Sequence, residues 1–326
     1  MIVGTRRPSS AMMRAALHER WGSPLEIADI ARPEPAAGEI RVAVRTTSVN
    51  PIDMHTGANS GYEQSMRLPC IPGWDVAGVV DAVGYGVTRY TVGDRVYGMP
   101  WFPYPGGTYA EYLTVPAYQL APMPRSASFV EAGCLPMAAL TAWQMLAAVG
   151  ARAGHHILIS GTSGGVGHLA VQLAIARGAT VTALARPDHH ATLHDLGAHI
   201  CVDYTDLDAV TAIGKVDAVI DLVGHEFGAS LFDRVTPGGA IALATAWSIP
   251  EYEILAAQRG IRAVSCLVEP DPAALAAIAE LVDSGAVRVV VGAEFDLDHA
   301  GDAQRWVTER HGFGKSAIVV HTQEHI

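Results

Sequence analysis

Residues 156–167 read H-I-L-I-S-G-T-S-G-G-V-G, and the apolar run L-A-V-Q-L-A-I-A-R-G follows almost directly. A short apolar strand stops at a glycine cluster, and the cluster opens a helix. No other stretch restricts the fold as much. Glycines at 161, 164, 165 and 167 let the backbone approach a pyrophosphate, which would rest on the free N–H groups of a helix N-terminus. A strand-to-helix turn without a ligand needs fewer glycines than this. The strand before and the helix after supply the context that a glycine motif alone lacks.

A second apolar strand, T-V-T-A-L-A over 180–185, ends at Ala185-Arg186-Pro187. About 20 residues past the glycines, an NAD enzyme places Asp or Glu to hold the ribose hydroxyls. A carboxylate there repels a 2′-phosphate, whereas a guanidinium binds it through paired, charge-assisted hydrogen bonds. Arg186 therefore favours NADPH. The alternative is a solvated loop arginine, with Asp188 two residues on and within reach of the ribose.

The 326 residues suffice for two domains, and 50% of them are apolar, so a sizeable core is available. A net charge of −11 argues against a nucleic-acid or anionic-membrane partner. Cys70, Cys134, Cys201 and Cys266 form no C-x-x-C pair, which fits a reducing cytoplasm and shows neither a zinc knuckle nor a disulfide framework. No run approaches the roughly 20 apolar residues of a membrane helix. Residues 1–11 read as a disordered leader.

From 12 to about 130 short apolar runs, Ile40–Val44, Val76–Val83 and Arg95–Tyr97 among them, are cut by Gly, Pro and Asp, the pattern of a small barrel or sandwich. From 131 to 268 helices and strands alternate, as in a doubly wound parallel sheet. Within it, 131–149 reads as one long apolar helical run. Residues 269–326 hold an amphipathic helix with Asp271 as its cap, then β-like segments at Val287–Val291 and Ser316–His321 that rejoin the first domain. The expected fold class is α/β, a β-rich domain plus a Rossmann-type sheet.

Several further blocks spell a family. They are S-V-N-P-I-D at 48–53, P-G-W-D-V-A-G-V-V-D-A-V-G at 72–84, G-D-R-V-Y-G at 93–98 and G-G-T-Y-A-E-Y at 106–112. P-M-A-A-L-T-A-W at 136–143, V-D-A-V-I-D-L-V-G at 216–224 and G-K-S-A-I-V-V at 314–320 continue the series. With these marks the chain resembles the medium-chain dehydrogenase/reductase superfamily, and within it the zinc-free quinone oxidoreductase branch. The resemblance implies a GroES-like domain over 12–130 and 269–326, a Rossmann NADPH-binding domain over 131–268, an active cleft between them, and a homodimer.

Zinc alcohol dehydrogenases of that superfamily carry a catalytic Cys near position 50 and a G-H-E block near 73. This chain has Asn50 and Gly73-Trp74-Asp75 there. Asparagine is a poor zinc ligand and tryptophan is none. No metal is expected. Without a Lewis acid, alcohol oxidation is disfavoured, and a substrate must already be electrophilic: a quinone, or an alkene conjugated to a carbonyl.

The resemblance places Asn50 beside the nicotinamide, bonding a ribose or substrate oxygen, although an asparagine can also hold its own Asn-Pro turn. Tyr62 matches a tyrosine whose hydroxyl reaches the substrate; the alternative is loop packing. Trp74 is either a wall against a flat substrate or core. Trp101, Phe102 and Tyr104, in a Pro-rich loop, are either a pocket lid or packing. On the cofactor side the resemblance assigns Thr141, the turn Gly161, Ser163, Gly164, Gly165, Val166 and Gly167, then Gly224, Thr245 and Ala246. Lys315 approaches cofactor phosphate or ribose, or is a surface lysine.

The first functional expectation is a zinc-independent reductase that transfers hydride from NADPH to a quinone or enone. A second is an enoyl-thioester or biosynthetic tailoring reductase with the same cleft. A third, of another class, is a non-catalytic NADPH-binding protein.

Overall fold

The computed structural model describes residues 11–309 and 312–321. The leader expected over 1–11 therefore lies outside the described residues, apart from Ala11.

The chain opens with an antiparallel ribbon, β1 (Met12–Leu17) and β2 (Glu26–Ala31). Next come β3 (Glu39–Ser48), α1 (Pro51–Gly57), β4 (Val76–Val83), β5 (Arg95–Gly98), β6 (Tyr112–Pro116) and β7 (Leu120–Pro122). Two helices, α2 (Phe129–Gly133) and α3 (Pro136–Ala148), lead into the alternating region. The long helical run read from 131 breaks between them. Pro136 lacks an N–H to continue the first helix, and its fixed φ suits the first position of the next.

The alternating region runs β8 (His156–Ile159), α4 (Gly167–Ala176), β9 (Thr180–Leu184), α5 (His190–Asp195), β10 (Ile200–Val202) and α6 (Leu207–Ala212). It continues with β11 (Val216–Asp221), α7 (His225–Ser230), β12 (Val235–Leu243), α8 (Tyr252–Gln258) and β13 (Arg262–Ser265). After α9 (Pro272–Asp283), capped by Asp271 as expected, come β14 (Val291–Asp296), α10 (Ala300–Thr308) and β15 (Lys315–Val319).

Among the described residues β8–β13 form one parallel sheet of order β10-β9-β8-β11-β12-β13. The chain winds outward from β8 to β10, then crosses back to β11 on the other side of β8. That reversal opens a crevice at the C-terminal ends of β8 and β11. The other large sheet has the order β14-β15-β3-β4-β5-β7, with β6 also on β3. β15 pairs antiparallel with β3, Ala317 opposite Ser48, so the end of the chain closes the sheet begun near its start. The segment Val287–Val291, expected as a strand, supplies only the first residue of β14.

The fold class matches the sequence expectation. α4 is buried nearly all round, with Leu169, Ala170, Val171, Leu173 and Ala174 essentially inaccessible. Such a helix fits only between a sheet and other helices, and it packs against α3 and β9. Its N-terminus is thereby fixed at the crevice. No helix among the described residues is long and apolar enough to cross a membrane.

Candidate active site

At Gly165 and Gly167 the turn from β8 into α4 leaves no room for a side chain. Gly161 has φ 63°. A Cβ on Gly167 would stand 2.2 Å from the Gly161 carbonyl oxygen, and one on Gly165 2.5 Å from Lys315 Cδ. Gly164 is the open one, its ideal Cβ meeting only Gly161 O at 3.3 Å. The turn thus presents bare backbone at the mouth of the crevice, with the N–H groups and positive end of the ten-residue α4 behind it.

Several side chains hold this turn. Thr162 Oγ1 donates to Leu184 O at the end of β9 at 2.8 Å. Ser160 Oγ donates to Asp221 Oδ1 at 2.7 Å, and Asp221 also accepts from the N–H groups of Val223 and Gly224. Gly314 N–H donates to Ser163 O at 2.8 Å, so the start of β15 touches the turn. His168 Nε2 accepts from Val290 N–H at 3.2 Å, which leaves the proton on Nδ1 to donate to Gly164 O at 3.0 Å. Burial drives the His168 pKa down to about 4, with the Lys315 charge adding to the effect against the opposing bond from Gly164.

Further along the same edge, Gly224 has φ 73°, and a Cβ there would strike Ser248 Oγ and Thr245 Oγ1. Thr245 Oγ1 is buried and has no protein partner. Ala246 is buried beside it. Arg186 stands at the end of β9 with its side chain 52% exposed and only a loose 4.0 Å pairing to Asp188.

A second cluster faces this edge from the other sheet. Asp75, fully buried before β4, accepts at Oδ2 from Ser48 Oγ at 2.6 Å and Asn50 Nδ2 at 2.7 Å. Its Oδ1 accepts from Met137 N–H at the start of α3 at 2.7 Å. Lys315, 3% exposed, lies 3.4 Å from Asp75 Oδ2 and donates to Asn50 Oδ1 at 2.7 Å and Val49 O at 2.9 Å. An ammonium is thus fixed where neighbouring carbonyls and one carboxylate compensate it. Asn50 uses one amide hydrogen and one lone pair in this network and keeps one of each.

Asn50 also starts α1, its N–H donating to Asp53 Oδ2 at 2.8 Å. Tyr109 Oη donates to the same oxygen at 3.1 Å, while Asp53 Oδ1 is buried without a partner. Burial, reinforced by the charge of Asp75, pushes the Asp53 pKa up to about 7 despite the bond from Asn50.

Among the aromatic candidates, Tyr62 stacks edge-to-face on Phe102 at 5.4 Å, and Phe102 meets Trp74 at 5.3 Å. Burial raises the Tyr62 pKa. Trp74 has no exposed surface and donates through Nε1 to Tyr104 O at 2.7 Å, so it is core behind Phe102 rather than an open wall. Trp101 turns the other way, its Nε1 donating to Thr114 O at 2.9 Å, and Tyr104 is 61% exposed. Phe102, not these two, is the loop residue brought to Tyr62. Thr141 donates back to Met137 O at 2.7 Å within α3 and is half-buried.

Sequence reasoning did not single out Asp75, His168 or Asp221 as site residues. The available signals were a carboxylate directly before an apolar strand, a carboxylate at a strand end, and a histidine in the first turn of an apolar helix.

The Alcohol dehydrogenase GroES-like domain family matches residues 36–125, and the Zinc-binding dehydrogenase family matches residues 196–319. A 2-methylene-furan-3-one reductase from Solanum lycopersicum is 30% identical over 303 residues, covering 90% of this chain and 74% of the relative. The chain belongs to the medium-chain dehydrogenase/reductase superfamily. Within that superfamily, the quinone oxidoreductase of Rattus norvegicus is 27% identical over 95% of this chain and 98% of its own. The structure of the quinone oxidoreductase from Coxiella burnetii superposes with a TM-score of 0.91 at 33% identity, over 95% of this chain and 100% of that one. The superfamily binds a nicotinamide cofactor. The bare glycine cradle and the buried, unpartnered Thr245 hydroxyl are compatible with such a dinucleotide.

Proposed function

We propose that this chain is a zinc-independent reductase that passes a hydride from NADPH to a quinone or an activated alkene. The observation that carries the reading is the Lys315–Asn50–Asp75 cluster. At the positions where zinc relatives place ligands stand an amide and a buried indole. The adjoining carboxylate is already compensated by a fixed ammonium. The names of the rat quinone oxidoreductase and of an NADPH-dependent alkenal/one oxidoreductase from Arabidopsis thaliana, 29% identical, support the acceptor class.

In this reading the domain division falls at about 130 and 268, so that the two clusters face each other across the cleft. The turn from Gly161 through Ser163, Gly164, Gly165 and Val166 to Gly167 would hold the pyrophosphate. Arg186 would hold the 2′-phosphate. Thr141, Gly224, Thr245 and Ala246 would line the nicotinamide end. When bound, NADPH supplies the hydride. Lys315 is assigned to positioning: its ammonium polarises the Asn50 carbonyl and strengthens the remaining amide N–H as a donor. That N–H would meet the acceptor oxygen as negative charge develops there. Tyr62, a phenol already protonated at neutral pH whose pKa burial raises further, is the candidate proton donor. We also assign a cytoplasmic location and a homodimer, which sedimentation would test.

Arg186→Ala should raise the KM for NADPH about tenfold, the loss of one charged contact, and leave that for NADH unchanged. Steady-state kinetics with both cofactors checks this, and an unchanged NADPH constant removes Arg186 from the site. Asn50→Ala should lower kcat by roughly 100-fold, the scale of one lost oxyanion donor, with the fold intact by circular dichroism. Full turnover in that variant would leave Asn50 only its role at the start of α1.

A further inference from the structure

The loop leaving β12 carries a tryptophan that the core does not use. Trp247 is 74% exposed, whereas Trp74 is fully buried. It follows Thr245 and Ala246 at the C-terminal edge of the parallel sheet, where such sheets bind their ligands. Two imidazoles from separate parts of the chain meet its ring in T-shaped contacts. His55 comes from α1, with centroids 6.4 Å apart and planes at 76°. His225 opens α7, 6.1 Å away at 86°.

Holding His225 there takes two successive residues in left-handed backbone, Gly224 at φ 73° and His225 at φ 56°. A side-chain-bearing residue seldom adopts that conformation, and its occurrences concentrate at ligand sites. The two loops are tied by His225 N–H to Ser248 Oγ at 3.0 Å and by Ser248 Oγ to Thr245 O at 2.8 Å. The indole is therefore flanked from both halves of the molecule while most of its surface stays bare.

Distance relates this ring to the catalytic cluster. His55 lies five residues beyond Asn50 along α1, about 7 Å at the helical rise. The indole centroid is 6.4 Å from the His55 ring. An acceptor whose reacting carbonyl meets Asn50 touches the indole only by extending past His55, which favours an extended fused-ring planar molecule over a short open-chain enone. An electron-rich indole also stacks favourably on an electron-poor quinone ring.

We propose that Trp247, flanked by His55 and His225, forms the outer wall of the acceptor site and selects fused-ring quinones over small open-chain enones. This rests on the reductase reading above. Trp247→Ala should lower kcat/KM for a fused-ring quinone about tenfold, the loss of one aromatic stacking partner, and Trp247→Phe should recover most of it. The kcat/KM for a short enone and the KM for NADPH should stay within about twofold, because neither ligand reaches the ring. An equal fall for both acceptors, or no fall for either, overturns the proposal.

Equilibrium binding of the same quinone to wild type and Trp247→Ala, in the presence of NADP⁺, separates this proposal from the reductase reading. If wild type reduces neither acceptor, the reductase reading fails. Weaker quinone binding by the variant would then still support the wall, and equal binding would refute it.

Discussion

Asp75→Ala should cost the protein about 3–5 kcal/mol of folding stability, the range for breaking a buried ion pair from one side. The substitution leaves the Lys315 ammonium, 3% exposed, without its carboxylate, and it strips acceptors from Ser48, Asn50 and Met137 N–H. Four segments of the chain meet at this one side chain, around residues 48–50, 75, 137 and 315, so the loss loosens the seam between the two sheets. Adding Lys315→Met should recover a large part of the cost, because an apolar side chain of similar length needs no partner. Urea denaturation of the two single variants and the double variant measures this coupling. Strict additivity would show that the two charges do not act as a pair.

The second large effect is on acid stability. His168 titrates at about 4 in the folded protein against 6.5 as an ordinary imidazole, mainly through burial. The unfolded chain therefore takes up a proton that the native state refuses as pH falls below 6.5. Stability from this group is present in full above 6.5 and is lost as pH falls toward 4. At pH 5 the loss is about 2 kcal/mol, and it approaches about 3 kcal/mol at lower pH.

Asp53 carries the opposite sign. Its carboxyl, raised from 3.8 to about 7, keeps a proton that the unfolded chain releases, so it destabilises increasingly as pH rises through that interval. Denaturation from pH 4 to 8 should show His168→Gln flattening the acid limb and Asp53→Asn raising stability at the alkaline end. If His168→Gln retains the wild-type acid slope, the imidazole is not the group responsible. The acid loss also reaches the glycine turn, because His168 holds the Gly164 carbonyl.

Much of the parallel sheet was legible because each of its strands is a short apolar run and its turn chemistry is explicit. The glycine turn between β8 and α4 fell where the pattern placed it. β2 was not legible: its residues alternate between half-buried and exposed on a two-stranded ribbon, so they carry no apolar run. α10 was missed because its sequence, A-G-D-A-Q-R-W-V-T, buries only Ala300 and Ala303. The Lys315–Asn50–Asp75 cluster was only half visible. Asn50 stood out through its motif, but its partner Lys315 is 265 residues away, and no local spacing reveals a contact of that range. Trp74 could be read either as wall or as core from its position. The hydrogen bond to Tyr104 O and the ring of Phe102 in front of it decide for core.

The most direct test of the central claim is NADPH consumption by protein stripped with a strong chelator and shown to be metal-free, with a quinone or an enone as acceptor. Undiminished turnover in the metal-free protein, with no gain on adding zinc, is the predicted result. Activity lost on stripping and restored by zinc would contradict the account.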